Sequence, residues 1–439
     1  MTESSFYTRL LHLSENWSVS KVDVNEKGGE VEVEIKYLGR QARCPFTKEL
    51  CDIYDYREKR KWRHLDTMQY KTYLTCQVPR VINSDGKIST VEVPWSDYSE
   101  RYTHLFSIAV IQLLQMSKNQ TKTAAFFGIT FDVVNRIMNR AVAHGLAQRD
   151  LGQVPAIIAL DEKSFKKGHD YATILTDVEQ GRVLEVGQGR RKETVETLLD
   201  KTFSKEQQQK IEIVVSDMWE AYLNVVKEKL PRAKSVLDRF HLVKYLQEAI
   251  DKTRRKEIKT EWELLKYSKY VMLKNQQDLN EKQRQMFAAI NGANLRTALV
   301  WRAKENFKAM FGQPDLLHAA SLLHKWQKEV RTTALEYLLK VSDMFERHFL
   351  GVANALCNKA SNAIAERING AIQELKSIAK GFRKPENFRT AILFHYGKLQ
   401  LFRLNGHLLG WKPCKLLNAI ALGQIKAMNK KTAFTAGLK

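Results

Sequence analysis

The sequence predicts a mixed α/β protein in which a long, wholly helical region interrupts a sheet-containing core. Three patterns predict this class. Roughly the first 95 residues are rich in strand signals, residues 154–238 alternate short apolar strands with helices, and residues 240–355 have helical periodicity throughout. Because a chain of 439 residues is too long for one ordinary core, we expect several domains.

The composition indicates a polyanionic partner. The formal net charge is +22 at pH 7, well beyond what solubility requires. Nucleic acid and an anionic membrane surface both suit this charge. No stretch approaches the roughly 18 uninterrupted apolar residues of a membrane-spanning helix, and we expect DNA rather than a membrane as the partner. The five cysteines are scattered, and the N-terminus does not have the pattern of a signal peptide. These features predict a cytoplasmic protein without disulfides.

Residues 1–96 are predicted to form a β-rich, DNA-binding module. The alternating segments VSKVDV and EVEVEIKYL flank the turn NEKGG, which is typical of a hairpin of half-buried strands. Further strands are predicted in YKTYLTCQVPRV and TVEVPW.

Residues 97–150 have the pattern of a helix-turn-helix. A short helix is expected from about Lys122, a turn at Gly128, and a second helix from about Thr130, whose hydroxyl is a suitable N-cap. The second helix would present DNA-facing side chains, among them Asn135, Arg136 and Asn139 together with Phe131 and Asp132. A plain helical hairpin is the alternative, and the positive charge favours the DNA-binding interpretation.

Residues 151–245 predict three hairpin-linked strands followed by alternating helices and strands. This connectivity is typical of a ribonuclease H-like sheet, whereas a doubly wound dinucleotide fold begins with a βαβ unit. We expect residues 246–350 to be a helical insertion. Residues 351–403 then form the second part of the core, and residues 404–439 form a basic tail.

Two acidic residues each follow an apolar strand. Asp161 follows IIAL and Asp217 follows IEIVVS, and the carboxyl ends of neighbouring strands converge on one crevice. Paired carboxylates need a proton or a cation between them, and oxygen ligands suit Mg²⁺ or Mn²⁺. A third candidate ligand, Glu366, lies in a polar helical stripe with Asn362, Asn369 and Gln373, although alone it is equally typical of an exposed helix residue. This set suits two-metal attack on a phosphodiester.

Basic residues next to these carboxylates predict contacts with a phosphate backbone. Lys163, Lys166 and Lys167 follow Asp161, and a solvated charge run is the alternative for each of them. The basic segment after the Glu366 helix, with Lys380, Arg383 and Lys384, is also assigned to DNA binding.

Several blocks resemble, in order and spacing, the DDE transposases of the ISL3 family of bacterial insertion sequences. They are RKWRHLDTMQYKTYLTCQVPR, IALDEKSFKKGHDYATILTDVEQGRV, VVSDMWEAY, DRFHLVKYLQEAID, LKNQQDLNEKQRQMF and SNAIAERINGAIQELKSIAKGFRKPENFRTAI. The resemblance implies a ribonuclease H-like core in which Asp161, Asp217 and Glu366 bind two Mg²⁺ ions, with Mn²⁺ as a substitute. It also implies strand cleavage and strand transfer at terminal inverted repeats of double-stranded DNA, by a homodimer or higher oligomer associated with the nucleoid. In DRFH, Asp238 and His241 would be auxiliary, as would Asn362, and a structural histidine is the alternative for His241.

The chain departs from this family near its N-terminus. The resemblance implies a zinc module with paired cysteines, but here CPFTKELC keeps only Cys44 and Cys51, and VINSDGK lacks the later ligands. We therefore expect the module to fold without zinc. Two other functions stay open: a catalytically silent, transposase-derived DNA-binding regulator, and a nuclease that does not rejoin strands.

Overall fold

A computed structural model describes residues 3–150, 152–165, 170–274, 278–358 and 363–402. These residues divide into two compact units: residues 3–149 with 398–402, and residues 150–397. None of the helices in these ranges combines the length and the apolar character needed to cross a membrane.

The first unit begins with helix α1 and two four-stranded sheets, in the strand orders β1-β2-β6-β5 and β3-β4-β7-β8. Their bounds are α1 Glu3–Leu10, β1 Trp17–Asn25, β2 Glu30–Tyr37, β3 Gln41–Arg43, β4 Leu50–Tyr56, β5 Arg60–Arg63, β6 Lys71–Cys76, β7 Pro79–Ile82 and β8 Ile88–Thr90. The predicted hairpin is confirmed, because β1 and β2 pair antiparallel. Val31, Val33 and Ile35 alternate into the core while the intervening glutamates stay partly exposed, as a period of two requires.

The strand predicted in TVEVPW is present only at its first residue, since β8 ends at Thr90. The Val91 N–H still donates to the Pro79 carbonyl at 3.0 Å, and the rest of the segment is not paired with a strand. Val91, Val93 and Trp95 are nevertheless buried at alternate positions, as the period-2 pattern predicts. Pro94 lacks the N–H group that a paired strand would use there. Alternation predicts which side chains are buried, not whether a partner strand is present.

Three helices complete the described part of the first unit: α2 His104–Ser117, α3 Gln120–Phe127 and α4 Phe131–Ala147. Helix α2 begins later than the change of pattern near Tyr98, at the cap Thr103. The predicted turn between α3 and α4 is present, and Gly128 has a φ of +62°, which glycine adopts without a Cβ penalty. The Thr130 hydroxyl accepts a hydrogen bond from the Val133 N–H, as predicted for the N-cap.

The second unit contains a five-stranded mixed sheet in the order β11-β10-β9-β12-β13. The elements are β9 Ile157–Ser164, β10 Tyr171–Asp177, β11 Arg182–Gln188, α5 Lys192–Thr202, α6 Lys205–Gln208, β12 Ile213–Ser216, α7 Glu220–Lys229 and β13 Lys234–Leu237. Strands β9, β10 and β11 pair antiparallel, whereas β9, β12 and β13 run parallel. The predicted order of elements is confirmed, and only the short α6 is additional.

A helical region follows β13 and packs on one side of the sheet. Its helices are α8 Arg239–Glu257, α9 Trp262–Leu265, α10 Lys269–Leu273, α11 Glu281–Gly292, α12 Arg296–Ala309, α13 Leu316–Thr332, α14 Glu336–Arg347 and α15 Phe349–Cys357. One continuous apolar core joins them to Ala159, Val215 and Val236 of the sheet. Helix α15 approaches β13 closely, because a Cβ on Gly351 would lie 2.9 Å from Leu237.

Two last helices return to the sheet: α16 Ala363–Ile378 and α17 Pro385–Tyr396. The Lys376 ammonium donates a hydrogen bond of 2.7 Å to the Ser164 carbonyl, which holds the C-terminal part of α16 at the end of β9. Arg389 of α17 makes a bidentate contact with Glu185 of β11. Residues separated by about 200 positions in the chain therefore meet at this sheet.

Candidate active site

Three aspartates lie in a row across three adjacent parallel strands. Asp217 and Asp238 directly follow β12 and β13, whereas Asp161 lies inside β9, which pairing with β10 continues to Ser164 beyond its predicted end. Leu160 of β9 is paired in register with Ser216 of β12, and Ser216 is paired with Leu237 of β13. The residue that follows each of these is an aspartate: Asp161, Asp217 and Asp238. Since neighbouring strands lie about 4.8 Å apart, the register brings three carboxylates to one edge of the sheet. Sequence analysis singled out the first two and gave Asp238 an auxiliary role.

Asp161 is largely buried and is contacted from three sides. Its Oδ1 accepts a hydrogen bond from the Glu162 N–H, and its Oδ2 accepts one from Asn369 of α16. The Lys163 ammonium is 3.8 Å from Oδ2. Burial raises the pKa of Asp161 above its ordinary value even though Lys163 and His241 lower it. The negative charge at this position is therefore only partly compensated.

Asp217 is oriented by the chain that follows it. The Trp219 N–H donates a hydrogen bond of 3.0 Å to Asp217 Oδ1. Burial raises the pKa of Asp217, and the carboxylates of Glu162 and Asp161 add to this effect. Asp161 and Asp217 are therefore close enough for their carboxylates to repel each other.

Asp238 caps helix α8 and holds His241. Its Oδ1 accepts from the Phe240 N–H at 2.8 Å, and its Oδ2 lies 3.0 Å from His241 Nδ1. Burial lowers the pKa of His241, but Asp238, followed by Asp161 and Asp217, outweighs it and raises the pKa above the ordinary value. The raised pKa favours the charged form of His241 beside the row of aspartates, and its contact with Asp238 fixes the orientation of the ring.

Helix α16 brings Glu366 to the same end of the sheet. Asn369, one turn after Glu366, contacts Asp161, which fixes this helix beside β9. Partial loss of hydration raises the pKa of Glu366, and the nearby Asp238 carboxylate raises it further. The Glu366 side chain is exposed, and its electrostatic neighbours are Asp238 and His241.

The donors at this edge match a hard divalent cation in type. Carboxylate oxygens are the ligands that Mg²⁺ and Mn²⁺ prefer, and buried acids with raised pKa values have charge that a cation would compensate. Across the ranges that the structure describes, no three His, Cys, Asp or Glu side chains are grouped closely enough to hold one ion. The residue types therefore fit a metal, whereas their arrangement is not that of a closed coordination shell.

The residues assigned to DNA contact fall into three groups. Arg136, Lys380, Arg383 and Lys384 are exposed, and Asn135 and Asn139 are half-buried rather than facing fully outward. The Lys163 ammonium forms an ion pair with Asp161, so part of its positive charge is already neutralised within the site. Lys166 and Lys167 lie outside the described residues, as do the auxiliary candidate Asn362 and the predicted tail from residue 404.

Sequence reasoning missed a cation–aromatic stack beside the acidic row. The Arg190 guanidinium lies 4.2 Å from the centre of the Trp219 ring and 4.3 Å from that of Tyr171. It also lies 3.3 Å from a Glu162 carboxylate oxygen. The sequence indicates only that Trp219 lies two residues after Asp217. It does not indicate the contacts of Trp219 with Arg190 and Tyr171, because these residues are distant in sequence.

The two N-terminal cysteines lie on either side of a turn, Cys44 directly before it and Cys51 in β4. Cys44 and Cys51 are buried, and the Thr47 hydroxyl lowers the pKa of Cys44 through a hydrogen bond. Asn83, one of the residues that replace expected ligands, accepts a hydrogen bond of 2.7 Å from the Lys87 N–H. The module without zinc stays a prediction, which elemental analysis of the purified protein tests.

Comparison with known proteins identifies the family. Residues 158–392, more than half of the chain, match the ISL3 family of DDE transposases, described as transposase. A transposase for insertion sequence element IS1557 of Mycobacterium tuberculosis is 25% identical over 354 residues, which cover 74% of this chain and 79% of that protein. A transposase for IS1001 of Bordetella parapertussis is 24% identical over 385 residues, covering 85% and 94%.

Among solved structures, the Drosophila P element transposase strand transfer complex has a TM-score of 0.34 and 11% identity, over 69% of this chain and 92% of that one. The match of 158–392 contains Asp161, Asp217, Asp238 and Glu366. The chain belongs to the ISL3 family of DDE transposases.

Proposed function

We propose that this protein binds the terminal inverted repeats of an insertion sequence and catalyses divalent-metal-dependent DNA strand cleavage and strand transfer. The observation that carries the proposal is the row of aspartates after register-matched residues, with the Glu366 helix fixed beside it. The mixed sheet, antiparallel and then parallel, is the connectivity expected of a ribonuclease H-like core.

Asp161, Asp217 and Glu366 are the proposed catalytic residues and metal ligands, for two Mg²⁺ ions that Mn²⁺ can replace. Bound at these carboxylates, the ions would polarise the phosphodiester and favour attack on phosphorus by water or a sugar hydroxyl. The chain's own residues prepare the site. Asn369 orients Asp161, the Trp219 N–H orients Asp217, and Asp238 fixes the His241 ring.

Binding of DNA is assigned to two basic surfaces, one in each unit. In the first unit, α3 and α4 form the proposed helix-turn-helix, with Arg136 exposed on α4. In the second unit, Lys380, Arg383 and Lys384 are exposed after the Glu366 helix, where they would contact the phosphate backbone. A homodimer or higher oligomer would hold paired ends together, which light scattering on DNA tests, and DNA binding implies association with the nucleoid.

The deciding experiment incubates the protein with Mg²⁺ and DNA that carries the inverted repeats flanking its gene. We expect cleavage at the repeat ends, and a loss of at least about a thousandfold in rate for Asp161→Asn, Asp217→Asn or Glu366→Gln, because metal-assisted stabilisation contributes several kcal/mol. Each variant should keep its affinity for DNA.

Glu212→Gln is the matched control. Glu212 is an exposed acid immediately before β12, at the opposite end of the strand that Asp217 follows. Its variant should cleave at the wild-type rate. Wild-type protein that binds the repeats without cutting them would instead be the catalytically silent regulator, and cleavage without rejoining would indicate a nuclease.

A further inference from the structure

We infer that the stack of Trp219, Arg190 and Tyr171 binds an unpaired nucleobase next to the phosphodiester that the carboxylates act on. This inference deepens the proposed function and rests on it for the identity of that phosphodiester. A base-binding site at this position would mean that the enzyme holds a nucleotide out of the duplex stack beside the bond that it cuts.

Hydrogen bonds link the stack to Asp217 and to Glu162, the residue after Asp161. Besides the contact of its N–H group with Asp217, Trp219 donates from its indole Nε1 to the Arg190 carbonyl at 3.0 Å. The Arg190 guanidinium lies over both the Trp219 and the Tyr171 rings and is 3.3 Å from a Glu162 carboxylate oxygen. The indole therefore has a fixed orientation before any ligand binds, which lowers the entropic cost of binding.

The indole remains available to a ligand. Trp219 is 39% exposed in spite of its hydrogen bond and its contact with Arg190. A tryptophan that is held in one orientation is usually buried. An indole that is both fixed and accessible provides the aromatic surface on which a base stacks. The stack borders an open groove of about 1040 Å³, which Gln188, Arg191 and Glu193 also line.

The charges of the groove favour a base over a simple phosphate. Its cations are Arg190, Arg191 and Lys192, and its acids include Asp170 and Glu193. Two of the three cations are engaged, because Arg190 contacts Glu162 and Lys192 lies 2.6 Å from a Glu228 oxygen. Since acids pair with most of the cations among the described lining residues, the aromatic stack is the distinctive feature of the groove. Stacking accepts any base because every base has a π face.

The location specifies which nucleotide would be held. Only one residue separates Trp219 from Asp217, and Arg190 contacts the residue that follows Asp161. A base on the indole would belong to a nucleotide adjacent to the phosphate at the carboxylates. Taking it out of the duplex costs the least where the helix ends or is already open, as at a transposon end being cut.

The test compares binding of the full-length protein to two single-stranded oligonucleotides of equal length, one with all its bases and one entirely abasic. Both have the same phosphate charge, so the ratio of their affinities isolates the bases. Fluorescence anisotropy in Mg²⁺-free buffer measures both without cleavage. We expect the base-bearing strand to bind about tenfold more tightly, the size that one base–aromatic stack gives on alanine substitution.

Three variants test whether Trp219 is responsible for the preference for the base-bearing strand. Trp219→Ala should weaken binding of the base-bearing strand about tenfold and leave the abasic strand unchanged. Trp219→Phe should keep part of the preference, and it guards against a folding defect because it retains an aromatic ring and the same backbone N–H. Trp262→Ala is the control, since Trp262 is another exposed indole of the same unit, at 57%, and it should change neither affinity.

The inference is overturned if wild-type protein binds both strands equally, or if Trp219→Ala leaves the ratio intact. These results are separable from the proposed function, which the cleavage assay measures with Mg²⁺. A protein that cuts repeat ends but does not distinguish the abasic strand refutes only the base site. A protein that prefers bases through Trp219 but never cuts refutes only the catalytic proposal.

Discussion

Two buried acidic positions of the second unit, Glu185 and Asp161, have opposite electrostatics. Arg389 donates to both oxygens of Glu185 at 2.6 and 2.7 Å, and the Lys201 ammonium lies 3.1 Å away. Burial raises the pKa of Glu185, but these cations and the Val186 N–H outweigh it and hold the pKa below its ordinary value. At Asp161, burial prevails and the pKa is raised.

Under the proposed function, this difference is the one expected between an acid that stabilises the fold and an acid that binds a cation. A carboxylate that the fold uses for stability is fully supplied with cations, as Glu185 is. A carboxylate reserved for an external cation is left under-compensated, and its burial then costs stability in the protein alone. Glu185 should therefore contribute to stability and not to chemistry, and Asp161 should do the reverse.

The largest effect in this comparison is expected on stability. Glu185→Ala leaves Arg389 beside an apolar gap and should lower the free energy of unfolding by about 3 kcal/mol, within the range for removal of one partner of a buried pair. Asp161→Asn removes an incompletely compensated charge, and its stability should be unchanged or higher. Urea unfolding of the two variants measures the contrast. The expected contrast between Glu185 and Asp161 is contradicted if Asp161→Asn is the more destabilised of the two variants.

The sequence predicts features that depend on neighbouring residues better than features that depend on residues far apart in the chain. The β1–β2 hairpin, the Thr130 cap and the position of Asp217 directly after β12 follow from patterns a few residues long, and the structure contains each of them. The predicted end of β9 at Asp161 is wrong, because pairing with β10 continues that strand to Ser164. Whether those acids are catalytic stays a prediction.

Partnerships between distant residues were not predictable. The sequence places Asn369 in the same polar stripe as Glu366, but it does not predict that the Asn369 amide contacts Asp161, 208 residues away. Arg389 and Glu185 are 204 residues apart, and Trp219 and Arg190 are 29 apart. Periodicity tells which face of a helix is polar, whereas the partner on that face is set by how the elements pack.

An intermediate effect is expected on metal affinity. Asn369→Ala removes the hydrogen bond that orients Asp161 and leaves all proposed ligands in place. Loss of such a supporting contact typically costs 10- to 100-fold in metal affinity. Cleavage rates measured across a Mg²⁺ titration should shift by about this factor, with most of the rate recovered at saturating Mg²⁺.

Gln373→Ala is the control for Asn369, because Gln373 is exposed and lies about one turn further along the polar stripe of α16. Its titration should match that of the wild type. A loss in the Asn369 variant that saturating Mg²⁺ leaves unrescued would mean that Asn369 holds helix α16 in place rather than tuning Asp161.

The smallest effect is the pH dependence of the Glu185 contribution. Because the folded-state pKa of Glu185 is lowered, its ion pair stabilises the fold above the ordinary value of 4.5, and this contribution is lost as the pH falls through the folded-state pKa. The difference in unfolding free energy between wild type and Glu185→Gln should therefore be greatest near pH 7 and shrink below pH 4.5. Only the ionisation-dependent part of the pair titrates, so this change is smaller than the loss in Glu185→Ala.

The same difference measured in an Arg389→Met background should be reduced at pH 7, since burial then acts with fewer opposing cations. If the difference instead grows on acidification, Glu185 is protonated in the folded protein, and its contrast with Asp161 disappears.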